Sequence, residues 1–167
     1  MVPSASETRL VPATPAHFDW AIRGVESQPS FDGLRLPPGG LDAAPVLEWL
    51  ERTAKTIDEL TGARSAWIIA SGDEAVGLIS YKAPPADAAV EIGYGIAASR
   101  RDRGHASRAV ALLVREASRA GLSLTAETAT GNRASEVVFE KSSFARVGTR
   151  LDAEEGALVC WRRDCGA

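Results

Sequence analysis

The segment that most narrows the choice of fold runs from Val90 to Val110, VEIGYGIAASRRDRGHASRAV, where a strand, a basic glycine-bearing turn and a helix follow without a break. A helix start presents unpaired backbone N–H groups and a partial positive charge, so it binds phosphate oxygens wherever no bulky side chain blocks the approach. Gly104 and Ala106 leave that approach clear, and Arg100, Arg101, Arg103 and Arg108 surround the turn with only Asp102 opposing them. This excess of cations sits in a chain with 19 Lys and Arg against 22 Asp and Glu, a net charge of −3. Its sign fits a polyphosphate. In the preceding strand, alternation puts Val90, Ile92, Tyr94 and Ile96 on one face and Glu91, Gly93 and Gly95 on the other, which leaves the second face nearly bare. A flat ligand arm lying beside Glu91 fits such a face.

Several competing chemistries lack the residues they need. No Gly-Lys-Ser or Gly-Lys-Thr of a nucleotide-hydrolase loop occurs, and Gly93-Tyr94-Gly95 does not continue to the third glycine of a dinucleotide fingerprint. The arginine run has no interleaved aromatics to stack on bases, and the acidic balance opposes general phosphate neutralisation, so nucleic acid is not an expected partner. His17 and His105 are isolated, there is no Cys-x-x-Cys, and Cys160 and Cys165 near the carboxyl end read as reduced thiols. No metal is expected. No stretch approaches the roughly 18 apolar residues of a membrane span. The start MVPSASETRL lacks the basic head and apolar core of a leader, so the expectation is a soluble, cytoplasmic protein without a membrane partner.

With 167 residues, 45% of them hydrophobic, the chain suits a single domain over residues 1–167. An extended segment from Glu7 to Val11 leads to Thr14-Pro15, a capping hydroxyl and a first-turn proline that open a helix ending at Gly24. Gln28 to Gly40, rich in Pro and Gly, reads as a surface loop. Val46, Leu47, Leu50, Ala54, Ile57 and Leu60 set a second helix that stops at Gly62. Strands follow at Ser65 to Ser71, Ala75 to Lys82 and Ala89 to Ala97, the first pair forming a hairpin at Gly72-Asp73. Then come a helix from about His105 to Ala120, an extended run Leu122 to Ala126, a helix opened by Gly131-Asn132, and strands Ala145 to Leu151 and Ala157 to Arg162. The order is mixed α/β, in the α+β sense.

These motifs resemble the GNAT superfamily of acetyl-CoA-dependent N-acetyltransferases, and within it the Rim-type branch named for ribosomal-protein N-terminal acetyltransferases. Arg101-Asp102-Arg103-Gly104-His105-Ala106 fits the superfamily's pyrophosphate signature. Glu91-Ile92-Gly93-Tyr94 looks like the branch's fourth-strand sequence, and Asn132-Arg133-Ala134-Ser135 through Glu140-Lys141-Ser142-Ser143-Phe144 looks like its late helix. The resemblance covers the chain in element order and is residue-specific from Val90 to Phe144. It implies a strongly twisted mixed sheet of about seven strands, splayed between the fourth and fifth and flanked by about four helices. The pantetheine arm would lie in the opening and the diphosphate on the amides of Arg101 to Ala106, continuing to Ser107. Tyr94, Gly95, Ile96 and Asn132 complete the cofactor set, although an asparagine there is also an ordinary N-cap. Phe139 stands where many members carry a proton-donating tyrosine; the Rim-type branch carries a serine, matched by Ser135. Ser143 replaces the usual glycine before Phe144.

The activity so implied is acetyl transfer from acetyl-CoA to a primary amine, by direct attack in a ternary complex. Glu91 would take the ammonium proton, directly or through a water, and Ser135 would stabilise the departing thiolate. Glu91 also reads as an ordinary salt-bridged carboxylate. The acceptor, a small molecule or a protein N-terminus, would sit between the first two helices and the sheet. Trp20, Phe31, Trp49 and Tyr94 are candidate walls, with Trp49 more readily explained as packing. Glu127 either binds a cationic acceptor or pairs with an arginine. A non-catalytic acyl-CoA-binding sensor is the alternative, an RNA-binding domain ranks last, and a homodimer is left open.

Overall fold

The computed structural model describes residues 7–166; residues 1–6, most of the start read for a leader, lie outside them. The chain runs β1 (Thr8–Pro12), α1 (Pro15–Ser27), β2 (Ser30–Phe31), β3 (Leu34–Arg35), α2 (Ala44–Thr61), β4 (Ala66–Ser71), β5 (Glu74–Tyr81) and β6 (Ala89–Ile96). It continues with α3 (His105–Arg119), β7 (Ser123–Ala129), α4 (Arg133–Lys141), β8 (Ala145–Asp152) and β9 (Gly156–Arg163). No described helix is long and apolar enough to cross a membrane.

Period-two alternation sorts the sheet's side chains into two cores. On β4, Ile69 faces α3 and α4, in a cluster with Val90, Ile92, Val110, Leu113, Phe139 and Trp161. Its neighbours Ile68 and Ala70 turn the other way, to join Phe18, Trp20, Leu47 and Leu78 under α1 and α2. On β5 the alternation slips at a bulge, where Ile69 pairs with Gly77 but Ala70 with Ala75. Each helix therefore buries one stripe against one side of the sheet. α2 ends as its sequence announces, on Gly62 in the left-handed region at φ 71°.

Two expectations are corrected. Gly24 does not end α1: the helix continues to Ser27, and the Gln28 N–H closes on the Gly24 carbonyl. A Cβ at Gly24 would stand 2.7 Å from the Trp20 ring, so the glycine is there for packing. The span Gln28 to Gly40 is not wholly irregular either. Asp32 and Gly33 both take positive φ, 51° and 74°, and turn β2 back on β3, as a two-residue hairpin of the primed type requires. β3 then joins the edge of β5 through Arg35 opposite Glu74. These short strands raise the count from the expected seven or so to nine.

The strand order is β1-β4-β5-β6-β7-β9-β8, with β6 and β7 parallel and the other main pairs antiparallel. β6 stays paired with β5 from Ile92 to Ile96, whereas it meets β7 only at Ala89, Val90 and Glu91. Beyond Glu91 the sheet parts. This is the splay expected between the fourth and fifth strands, which become β6 and β7 once the small hairpin is counted. It leaves one backbone edge of β6 without a strand partner where Tyr94, Gly95 and Ile96 lie.

Candidate active site

The turn below the opening is held by its own arginines. A 3₁₀ turn at Ala98–Arg100 follows β6, and Gly104 caps α3 at φ 79° with no capping side chain and no acidic residue in the first helical turn. By contrast, Thr14 caps α1 and Asn132 caps α4. Arg100 makes a two-pronged ion pair with Glu74. Arg108 donates to the Arg103 carbonyl at 2.9 Å and to the Thr8 hydroxyl at 2.8 Å, while Arg101 reaches the Ile96 carbonyl at 3.3 Å. The uncapped amides of α3 are thus presented by a braced loop, the arrangement that takes an anion. His105 is buried at the first helical position and its Nδ1 accepts from Arg108 at 3.2 Å. Burial, then the charges of Arg108 and Arg103, hold its imidazole below the ordinary histidine range, so it packs as a neutral ring.

A cavity of about 430 Å³ opens between this turn, the end of β6 and the start of α4. Every residue named from the sequence for the cofactor borders it: Tyr94, Gly95, Ile96, Arg101, Arg103, Gly104, His105, Ala106, Ser107 and Asn132. Ser135 joins them from α4. Its N–H is held by the Asn132 side chain at 3.3 Å, and its oxygen accepts the Tyr94 hydroxyl at 3.2 Å. Burial pushes the Tyr94 phenol up, with the Ser135 contact opposing.

A second cavity, about 230 Å³, lies on the opposite face of β6 under α2, over Gly93 and Gly95. Tyr94 and Gly95 border both cavities. Glu91 borders neither. It shares the face of Gly93 and Gly95 but pairs with Lys82 at 3.3 Å, and the Lys82 stem crosses the Gly93 position 3.3 Å from where a Cβ would stand. Trp49 edges the second cavity, while Trp20 and Phe31 pack with each other at 5.9 Å between ring centres and reach neither. Trp20 donates to the Gln28 carbonyl at 2.9 Å. Glu127 pairs with Arg150 at 2.6 Å, away from both cavities. Asp42, Lys82 and Leu78 border the second cavity and were not singled out from the sequence. A wider groove of about 780 Å³ lies on the far side of the turn, where Arg35–Asp73 and Arg100–Glu74 pairs already spend much of its charge.

A mixed sheet parted beside an uncapped helix start, with cavities meeting across one strand, defines the architecture of the acyl-CoA-dependent acetyltransferases. The acetyltransferase (GNAT) domain model matches residues 8–145, and the chain belongs to that family. Solved structures with the same fold include the ribosomal L7/L12 alpha-N-protein acetyltransferase RimL in complex with coenzyme A, at 19% identity and TM-score 0.72, covering 98% of this chain and 97% of that one. The Salmonella typhimurium acetyltransferase that modifies the N-terminal serine of L7/L12 aligns at 18% identity and TM-score 0.69, covering 98% of each chain. The microcin C7 self-immunity acetyltransferase MccE, in complex with acetyl-CoA and AMP, aligns at 15% identity and TM-score 0.69, covering 98% and 97%. Among curated proteins none matches the sequence.

Proposed function

We propose that the chain, acting as one domain over residues 1–167, transfers the acetyl group of acetyl-CoA to a primary amine by direct attack in a ternary complex, in the manner of the Rim-type branch. The observation that carries this is the meeting of the two cavities at Tyr94 and Gly95, beside the unpaired edge of β6. The residues present fit coenzyme A: an uncapped helix start with Gly104 and Ala106 for a diphosphate, and an open strand edge for the amide-bearing arm. The RimL neighbours, described as acetylating a protein N-terminus, support an amine acceptor.

The cosubstrate supplies an activated acetyl thioester. The chain's part is first to position the amine against it, the larger share of such a rate gain. A C–N bond forms as the C–S bond breaks, so the amine must lose a proton and the sulfur must be stabilised. The backbone N–H groups of Tyr94 and Ile96, which alternate away from β5 toward the free edge, polarise the carbonyl. Ser135, its oxygen occupied by the Tyr94 hydroxyl, turns its own hydrogen toward the sulfur. Glu91 takes the amine proton through a chain of waters, since it stands three residues, about 10 Å, along β6 from Tyr94, beyond the span of one water.

One observation favours a second reading, a non-catalytic acyl-CoA sensor: Glu91 is engaged by Lys82. Amine-dependent thiol release separates the two. The primary test is calorimetric titration with acetyl-CoA, repeated with Ala106→Trp. Ala106 has ordinary helical geometry, whereas Gly104 sits at φ 79°, where a side chain strains the backbone. Saturable binding by the parent, lost in the folded variant, supports the proposal; a parent with neither heat nor thermal stabilisation rejects it.

A further inference from the structure

The cavity under α2 carries at its edge an exposed carboxylate that the fold leaves half used. Asp42, just before α2, accepts the Ala43 N–H on Oδ1 at 2.7 Å. Its Oδ2 stands 3.8 Å from where a side chain on Gly95 would begin, over the bare strand face. Among the described residues no Lys, Arg or His pairs with Asp42, and the nearby Lys82 is committed to Glu91. The other side chains of the lining are apolar at Leu41, Val46, Trp49, Leu50 and Leu78 and polar at Ser80, Tyr94 and Lys82, the last a second charge on the same cavity. Val46 and Trp49 are 42% and 47% exposed, large apolar side chains left open at the mouth. The volume of about 230 Å³ takes roughly eight water-sized groups.

We infer that this cavity selects a primary amine on a short apolar body, with Asp42 as the specificity-determining anchor for its ammonium. The inference rests on the acetyltransferase reading and names its substrate class. Charge and size decide it. A single unpaired carboxylate, with the Lys82 ammonium on the same lining, matches a single cation, so a polyamine leaves its remaining charges against Leu50, Leu78 and Lys82. An arylalkyl or alkyl amine instead places its one charge on Oδ2 and its hydrocarbon between Trp49 and Leu78, removing apolar surface from water on both sides. Gly95 lets the amine approach the backbone where the two cavities meet. Asp42 then holds the ammonium until the proton leaves through water to Glu91.

The test measures steady-state thiol release with three acceptors: phenethylamine, spermidine and a short serine-terminated peptide. Acetyl-CoA binding is read separately by calorimetry, so failure of the cosubstrate site is distinguished from failure of the acceptor assignment. The expected result is a kcat/KM for phenethylamine at least about tenfold above the other two. Asp42→Asn keeps an oxygen for the Ala43 N–H and so preserves the loop. It should raise the phenethylamine KM by roughly tenfold or more while kcat and the acetyl-CoA KM stay within about twofold. Preference for spermidine or the peptide would overturn the inference. So would a fall in kcat at unchanged KM, which would make Asp42 a proton acceptor; and absence of acetyl-CoA binding would overturn both it and the reading beneath it.

Discussion

Ser135 is poised by what it accepts. With the Tyr94 hydroxyl on its oxygen and its backbone N–H tied to Asn132, its own hydrogen has the cavity as its natural direction. Hydrogen bonds to a charged group contribute about 1.5–3 kcal/mol, so Ser135→Ala should lower kcat roughly tenfold to a hundredfold and leave acetyl-CoA affinity near the parent value. A kcat unchanged in pre-steady-state thiol release would remove Ser135 from the mechanism. That the residues at the start of α3 border one cavity was legible because the signature is contiguous: Arg101 to Ser107 share one turn, and sequence neighbours there are spatial neighbours. The lining of the cavity under α2 was not. Lys82 meets Glu91 only through the β5–β6 register, which a sequence does not print. Asp42 two residues ahead of a helix looks like any capping residue, and nothing local says that one oxygen faces Gly95. Trp20 and Phe31 drew attention as aromatics, but packing claimed them.

Among the elements, β6 borders both cavities and β5 floors the one under α2, and Gly77 sets how closely the two strands approach. Glycine is required there by space: a Cβ would lie 2.3 Å from the Gly95 carbonyl oxygen and 3.2 Å from the Ile96 Cα. Both obstacles are backbone, so no rotamer change relieves them. Gly77→Ala should therefore cost about 1–3 kcal/mol, the range of overpacking, and should displace β6 where the cavities meet. Urea melts should show the loss, and thiol release should fall further than the unfolded fraction explains; a fully stable, fully active variant would mean that β6 shifts freely. Elements with long periodic stripes, α2 and α3, were readable to within a residue or so, because burial repeats along them. The hairpin of β2 and β3 was missed although Asp32-Gly33 is a strong turn signal. Its strands have two residues each, too short for alternation, and the surrounding prolines dominated the reading.

At the scale of the whole molecule, a parted sheet needs something to hold its halves at a fixed angle, since the hydrogen bonds that would do so are absent beyond Glu91. Phe139 supplies that link on the α4 side. It is 2% exposed, and its ring lies 5.9 Å from Tyr94 on β6, 5.0 Å from Phe144 and 6.1 Å from Trp161 on β9. One ring from a helix thus touches both sides of the splay. This gives Phe139 a use independent of the missing tyrosine donor. Phe139→Ala should cost about 3–5 kcal/mol, as aromatic truncation in a core does. The opening should also become variable, so acetyl-CoA ought to bind with a larger heat-capacity change as it closes apolar surface again. Saturating cosubstrate should then restore part of the lost stability by mass action. Chemical denaturation with and without acetyl-CoA measures both effects. A loss below about 1 kcal/mol, well under the core-truncation range, would show that β8, β9 and α4 hold the splay without Phe139.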